Sequence, residues 1–366
     1  MTDSHGKKRI VHLLYSGVGG HGNVFMNLVK ADKKMEFDYF VIFFGIEPIR
    51  NAYVEFCHQE NIPFQYRRKK EGIDVWFFVK LFLSIKKVKP DVIFLHGSYT
   101  IIPAWVCKVL FGSRIIVRET QANHLKTKVD FLTLKLAISF ADALVFLTAE
   151  FKDEICKKFN IRRNSKKLSV ISNGLDLNQY HVNRDYKKAP KVISMVSRLV
   201  PIKDHLTLID AFVEVNKTEK GVRLKIAGSG ISESAIRSKI KELELENVEL
   251  VGELDEQEIT ELLAQSDIYI HPTFGETMST SLMQAMASGL PIISSKVPGV
   301  VNMICDKKTG VLVETKQPEV LAKTIVQLLN SEFERVLCGM EAKKYAKENF
   351  SSEQMFEKYK RLNAKA

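Results

Sequence analysis

Short β-branched runs alternate with helical patterns along almost the whole chain. That alternation permits few architectures besides parallel sheets wrapped in helices, because a parallel strand needs a crossover long enough to hold a helix. The first runs fall at residues 9–15, 38–44, 91–95, 114–117, 143–147 and 168–171. A polar, unpatterned stretch at 178–190 breaks the rhythm, which restarts at 191–196, 222–227, 248–250, 268–270, 291–294 and 311–313. A chain of 366 residues is too long for one ordinary core. The pattern therefore predicts two doubly wound, Rossmann-like α/β domains over 1–185 and 186–350. A closing helix over 351–366 is expected to pack back on the first domain.

Charge is unevenly divided between these halves. Through Pro190 there are 31 Lys and Arg against 18 Asp and Glu, and after it 23 against 25, so the net +11 belongs to the first half. A basic domain favours an anionic partner, with phosphorylated substrate, membrane surface and nucleic acid all open on charge alone. The basic residues show no RNA-binding aromatic signature and no DNA-binding motif, which argues against nucleic acid. Cys57, Cys107, Cys156, Cys305 and Cys338 lie far apart with no C-x-x-C pair, as expected of a reducing cytoplasm. Neither an export signal nor a spanning segment is expected from the apolar runs.

Three segments carry chemistry. The loop Tyr15-Ser-Gly-Val-Gly-Gly-His-Gly22 follows the first strand, where Gly17, Gly19 and Gly20 let backbone amides approach an anion. Arg198 and Lys203 follow the first strand of the second half. A guanidinium and an ammonium five residues apart can grip adjacent phosphates and neutralise a departing diphosphate. Gly228 and Gly230, in Ala227-Gly-Ser-Gly230, end the next strand on the same rim. The sharpest segment is His271-Pro-Thr-Phe-Gly-Glu276, running into a helical pattern stopped by Gly289 and Pro291. Glu276 in the loop and Gln284 inside the helix can face one crevice, with the amides of Thr277, Met278, Ser279 and Thr280 aimed at a phosphate.

The S-R-L-x-x-x-K segment, A-G-x-G and the F-G-E-x7-Q-A-M-A-x-G-x-P block, in that order and spacing, resemble the retaining glycosyltransferase family 4, whose two domains form the GT-B fold and face each other across a cleft. Ile171-Ser-Asn-Gly-Leu-Asp176 resembles the family's V-x-N-G-V-D turn. The resemblance implies a nucleotide diphosphate sugar donor, UDP-linked, held by the C-terminal domain, and a glycan or lipid-linked acceptor held by the N-terminal one. The implied setting is bacterial surface polysaccharide, such as lipopolysaccharide or capsule. Arg198 and Lys203 match the diphosphate-holding positions, and Glu276 the carboxylate beside the donor sugar. Gln284 stands where the family usually has a glutamate for the ribose. Many members also carry a histidine after a late strand of the N-terminal domain, but in Val117-Arg-Glu-Thr-Gln-Ala-Asn-His124 none occupies the first turn, which leaves Arg118, Glu119, His124 and the rim residue His96 as candidates for acceptor or donor-sugar contacts. No Asp-x-Asp occurs, in keeping with metal-independent transfer and no cofactor. A non-catalytic sugar-nucleotide-binding homologue and a sugar-nucleotide epimerase share the architecture and remain alternatives.

The basic excess gives one further expectation. Phe64-Gln-Tyr-Arg-Arg-Lys-Lys70 sets aromatics beside four cations, and an aromatic-rich helical pattern follows over 74–89. The cluster at Arg67 to Lys70 is expected to dock peripherally on the anionic inner face of the cell membrane, while burial against the sheet is the competing reading for the helix.

Overall fold

The structure, a computed structural model, describes residues 6–17, 20–72 and 74–364, with the backbone alone at His124 and Ala364. The chain folds as two compact units. One comprises the chain up to Gly174 together with the segment from Ser352 onward, and the other is Leu175–Ser351.

The first unit is built on seven parallel strands, β1 (Lys8–Tyr15), β2 (Phe37–Gly45), β3 (Phe64–Arg68), β4 (Val92–Leu95), β5 (Arg114–Glu119), β6 (Ala143–Phe146) and β7 (Leu168–Val170), ordered β3-β2-β1-β4-β5-β6-β7. Every side chain of β4 and β6 is buried, as a sheet covered by helices on both faces requires. One face packs on the helices Val75–Val88, Ile101–Phe111 and Lys128–Phe140. The other receives Val24, Phe25 and Leu28 from the helix Gly20–Ala31, and also Met355, Phe356, Tyr359 and Leu362 from the helix Ser352–Ala364.

Strand β3 was not legible as a strand, because its alternation is only four residues long, with Phe64 and Tyr66 its sole apolar members, and runs into a row of cations. Pairing of Phe64–Arg68 with Val41–Gly45 makes it the sheet edge. Arg67 is consequently tied down: its Nε donates to Ser84 Oγ at 2.6 Å and an Nη to Gln65 Oε1 at 2.9 Å. Lys69 Nζ donates to the carbonyls of Lys70 and Gly72, both at 2.9 Å, so of the four clustered cations only Arg68 and Lys70 are exposed.

The second unit has six parallel strands, β8 (Val192–Val196), β9 (Arg223–Ala227), β10 (Val248–Gly252), β11 (Ile268–His271), β12 (Ile292–Ser295) and β13 (Val311–Val313), ordered β10-β9-β8-β11-β12-β13. In each sheet the strand order reverses beside the first strand, between β1 and β4 and between β8 and β11. Loops on the two sides of such a point diverge above and below the sheet and open a crevice at the carboxyl ends of the strands. Among the described residues no helix is long and apolar enough to cross a membrane.

Candidate active site

The reversal between β8 and β11 brings together two of the three charged candidate residues of the second unit. Lys203 closes the short turn Pro201–Lys203 after β8, and Glu276 ends the loop after β11. The loops are stitched side by side: Phe274 N donates to Ile202 O at 2.8 Å, and Thr273 Oγ1 lies 3.0 Å from the same carbonyl. Thr273 is fixed in turn by its own N–H, which donates to Ser295 Oγ of β12 at 3.0 Å. This framework sets Lys203 Nζ in direct contact with Glu276 Oε2. The two side chains are 11% and 15% exposed, so the pair lies under the surface with one side open.

His271, fully buried at the end of β11, donates from Nε2 to the same carboxylate oxygen at 3.4 Å. Burial by itself would raise the Glu276 pKa, but the hydrogen bond from His271 and the charge of Lys203 outweigh it and hold the carboxyl at about 2. Burial likewise pushes the imidazole pKa down at His271, with Lys203 adding to the effect, and at His205, which falls to about 4. Near neutral pH the site thus holds one ammonium, one carboxylate and two neutral imidazoles. His205 stands behind the loop, where its Nε2 and Ser197 Oγ share a hydrogen bond of 2.9 Å. Arg198 is exposed on that loop.

Gly228 and Gly230 have φ of 136° and 154°, and a Cβ at either would run into the backbone of Ser197 or Leu199. The close approach they permit is therefore to the Arg198 loop, cross-linked by Leu199 N to Ser229 O at 2.8 Å and Ser232 N to Leu199 O at 2.8 Å. Gly299, at φ 88°, backs the Glu276 turn in the same way.

The helix Thr280–Ala287 begins four residues past Glu276 and is capped by Ser279, whose Oγ accepts from Leu282 N at 3.3 Å. Thr277, Met278, Ser279 and Thr280 thus form the turn leading into its positive end. Gln284 lies deeper, 4% exposed, donating from Nε2 to Tyr180 Oη at 2.8 Å. With the nitrogen engaged, a ribose contact would fall to the amide carbonyl. Replacing Gln284 by Glu should leave nucleotide binding unchanged or tighter, because Tyr180 can turn its hydroxyl proton to the carboxylate and a charged acceptor binds a hydroxyl more strongly. Titration calorimetry of the Gln284→Glu variant against UDP checks this, and a large affinity loss would show a site adapted to the amide.

In the first unit, the reversal between β1 and β4 gathers a different set. His96, after β4, meets buried His12 of β1 with 3.0 Å between His96 Nε2 and His12 Nδ1. His21 approaches Tyr15 O at 3.2 Å. Burial lowers the pKa of His96 and His21, and the positive charge of Arg118 lowers both further. Arg118, 2% exposed, donates to Asn173 Oδ1 and lies beside Tyr359 of the closing helix. Glu119, next on β5, pairs instead with buried Lys126 at 3.4 Å. Successive residues of a strand point to opposite faces, so Arg118 joins the histidines while Glu119 does not. Gly17 is buried where a Cβ would meet the Glu47 carboxylate, and Gly20 is exposed at the start of its helix. Gly19 and the His124 side chain lie outside the described residues.

Sequence reasoning passed over His205, Tyr180 and Gly299, and gave no role to His271 and Thr273 within the segment it singled out. A Pro298-Gly299 turn directly after a buried strand, on the rim that carries Glu276, was the available signal for the glycine. The buried histidines carried none, since their role depends on which loops become neighbours.

Comparison with known proteins agrees with this geometry. A family model described as Glycosyl transferases group 1 matches residues 178–347, and one described as Glycosyltransferase Family 4 matches residues 18–179. An uncharacterised glycosyltransferase of Methanocaldococcus jannaschii is 25% identical over 307 residues, covering 78% of each chain. N-acetyl-alpha-D-glucosaminyl L-malate synthase of Bacillus anthracis is 26% identical over 282 residues, covering 73% of each. The crystal structure of Anabaena HepE in complex with UDP and glucose superposes with a TM-score of 0.83 at 17% identity, covering 98% of this chain and all of that one.

Proposed function

The chain belongs to glycosyltransferase family 4 and has the GT-B fold, and from that premise we propose that it transfers a sugar from a UDP-linked donor to a glycan or lipid-linked acceptor, retaining the anomeric configuration. The observation that carries this reading is the Lys203–Glu276–His271 constellation at the strand-order reversal of the second unit, with Arg198 free on the same rim. Lys203 is held by a carboxylate rather than by bulk water, so a bound diphosphate competes for an ammonium that is already partly desolvated.

Arg198, Lys203 and the turn Thr277–Thr280 supply positive potential for the leaving UDP, without calling on a metal ion. Glu276, ionised and oriented by His271, stands beside them to receive the donor-sugar hydroxyls. Attack by the acceptor hydroxyl from the leaving-group side keeps the configuration, and the departing phosphate oxygen accepts the acceptor's proton. Binding of the acceptor falls to the basic first unit, and surface polysaccharide or lipid-linked glycan is the proposed product. UDP is favoured by the ligand in the Anabaena HepE complex.

A panel of UDP, GDP and ADP sugars, scored first by thermal stabilisation and then by release of nucleoside diphosphate, tests the reading. The expected result is selective stabilisation by a UDP sugar, turnover that survives EDTA, and an axial product from an axial donor by proton NMR coupling. Inversion at the anomeric carbon would remove the retaining mechanism, and binding without transfer to any acceptor would favour the non-catalytic alternative.

A further inference from the structure

Three helices of the first unit lie side by side on one face of its sheet: Val75–Val88, Ile101–Phe111 and Lys128–Phe140. Each buries one side in the ordinary way, through Phe77, Leu81 and Ile85 on the first, Ile101, Ala104 and Cys107 on the second, and Leu134 and Ala137 on the third. Their outer sides are not polar. On Val75–Val88, Val75, Trp76, Val79 and Leu83 are 66%, 73%, 41% and 53% exposed, and Trp76, Val79 and Leu83 follow one another about a turn apart. Val109, Leu110 and Phe111 are exposed on the second helix, and Val129 and Leu132 on the third. The helices touch through their flanks: Trp105 stacks on Phe140 with 4.6 Å between ring centroids, and Lys86 Nζ lies 5.9 Å from the Phe111 centroid.

The charges on the same three helices are one-sided. They hold Lys80, Lys86, Lys87, Lys108, Lys128 and Lys135 against a single acid, Asp130. Lys108 is paired with Asp142 at 2.6 Å, while Lys80, Lys86, Lys87, Lys128 and Lys135 remain exposed among the apolar residues. A protein partner with an apolar face would leave these ammonium groups to be desolvated. A lipid interface takes up exposed apolar side chains beside phosphate headgroups and lets lysines keep their charged ends in water.

We infer that this three-helix face is a docking surface for an anionic lipid bilayer. The side chains of Val75, Trp76, Val79 and Leu83 enter the headgroup boundary, while Lys80, Lys86 and Lys87 meet the lipid phosphates. The docking element is thus the helix face, and the edge strand with Arg67 and Lys69 folded into internal hydrogen bonds is secondary to it. The face also reaches the candidate rim of its own unit: Phe78 packs on Tyr99 at 5.4 Å, three residues beyond His96. The inference concerns binding alone and stands whether or not sugar is transferred.

Co-sedimentation with vesicles of phosphatidylcholine, or of phosphatidylcholine mixed with phosphatidylglycerol, tests it with the full chain. Binding is expected only to the mixed vesicles, weakening roughly tenfold from low to high salt. Trp76→Ser/Val79→Ser/Leu83→Ser and Lys80→Ser/Lys86→Ser/Lys87→Ser should each abolish most of it, whereas Arg68→Ser/Lys70→Ser should have the smaller effect. Melting curves check that the triple variants are folded, and the lysine variant, altered only at exposed positions, carries the test if the apolar one melts early. Wild type left in the supernatant with mixed vesicles at low salt would overturn the inference. So would a dimer in sedimentation velocity that the apolar triple variant dissolves, because a second copy would then be what covers the face.

Discussion

Alanine at Lys203 or at Arg198 is expected to lower kcat/KM for sugar transfer by about 100-fold, near 3 kcal/mol of lost transition-state stabilisation, as when one charged donor is taken from a developing anion. The two variants should part company in stability. Arg198 is exposed, so its removal should leave the melting temperature unchanged. Lys203 neutralises a carboxylate that is only 15% exposed, and its removal should cost about 1–3 kcal/mol as that group loses its partner. Steady-state turnover and thermal melts of both variants check this. Near-normal turnover in both would remove the diphosphate clamp from the mechanism.

Glutamine at Glu276 is expected to cut kcat by about 100- to 1,000-fold while nucleotide affinity holds or rises, because Lys203 is released from its carboxylate and left free for phosphate. Calorimetry against UDP separates the two effects, and an affinity loss that matches the turnover loss would mean Glu276 serves ground-state binding instead. The same variant has an acid signature. The Glu276 pKa is depressed from 4.5 to about 2 on folding, so its ionisation contributes stability that is fully present above pH 4.5 and lost as pH falls through about 2. Wild type should therefore lose more melting temperature than Glu276→Gln between pH 5 and pH 2.5. Parallel losses in the two proteins would show that the carboxylate is not held by Lys203 and His271 as described.

How far these residues could be read in advance depended on how local their signals were. The F-G-E block combined a strand end, a loop, a capped helix and a Gly-Pro stop within about twenty residues, and Arg198 and Lys203 lie on one short loop. Strand β3 was lost because an edge strand needs only one paired side and tolerates Gln65, Arg67 and Arg68. Its basic residues then read as a surface cluster, whereas in the fold Arg67 is spent on Ser84 and Gln65. The apolar pattern of the helix that follows fits both burial and an interface. Phe77, Leu81 and Ile85 face the sheet, and Trp76 and Leu83 face outward.

The sequence by itself determined that the protein is a tandem of parallel α/β sheets with glycine-rich and charged loops after their strands, since strand and helix periodicity, glycine turns and helix stops are set within a few residues of one another. Only the tertiary structure decided which charges meet. Lys203 and Glu276 are 73 residues apart, and their contact exists because the strand order reverses between β8 and β11. The closing helix brings Tyr359 to Arg118 across more than two hundred residues, and Tyr180 reaches Gln284 across 104. Such pairings follow from chain topology and desolvation, which no local pattern encodes.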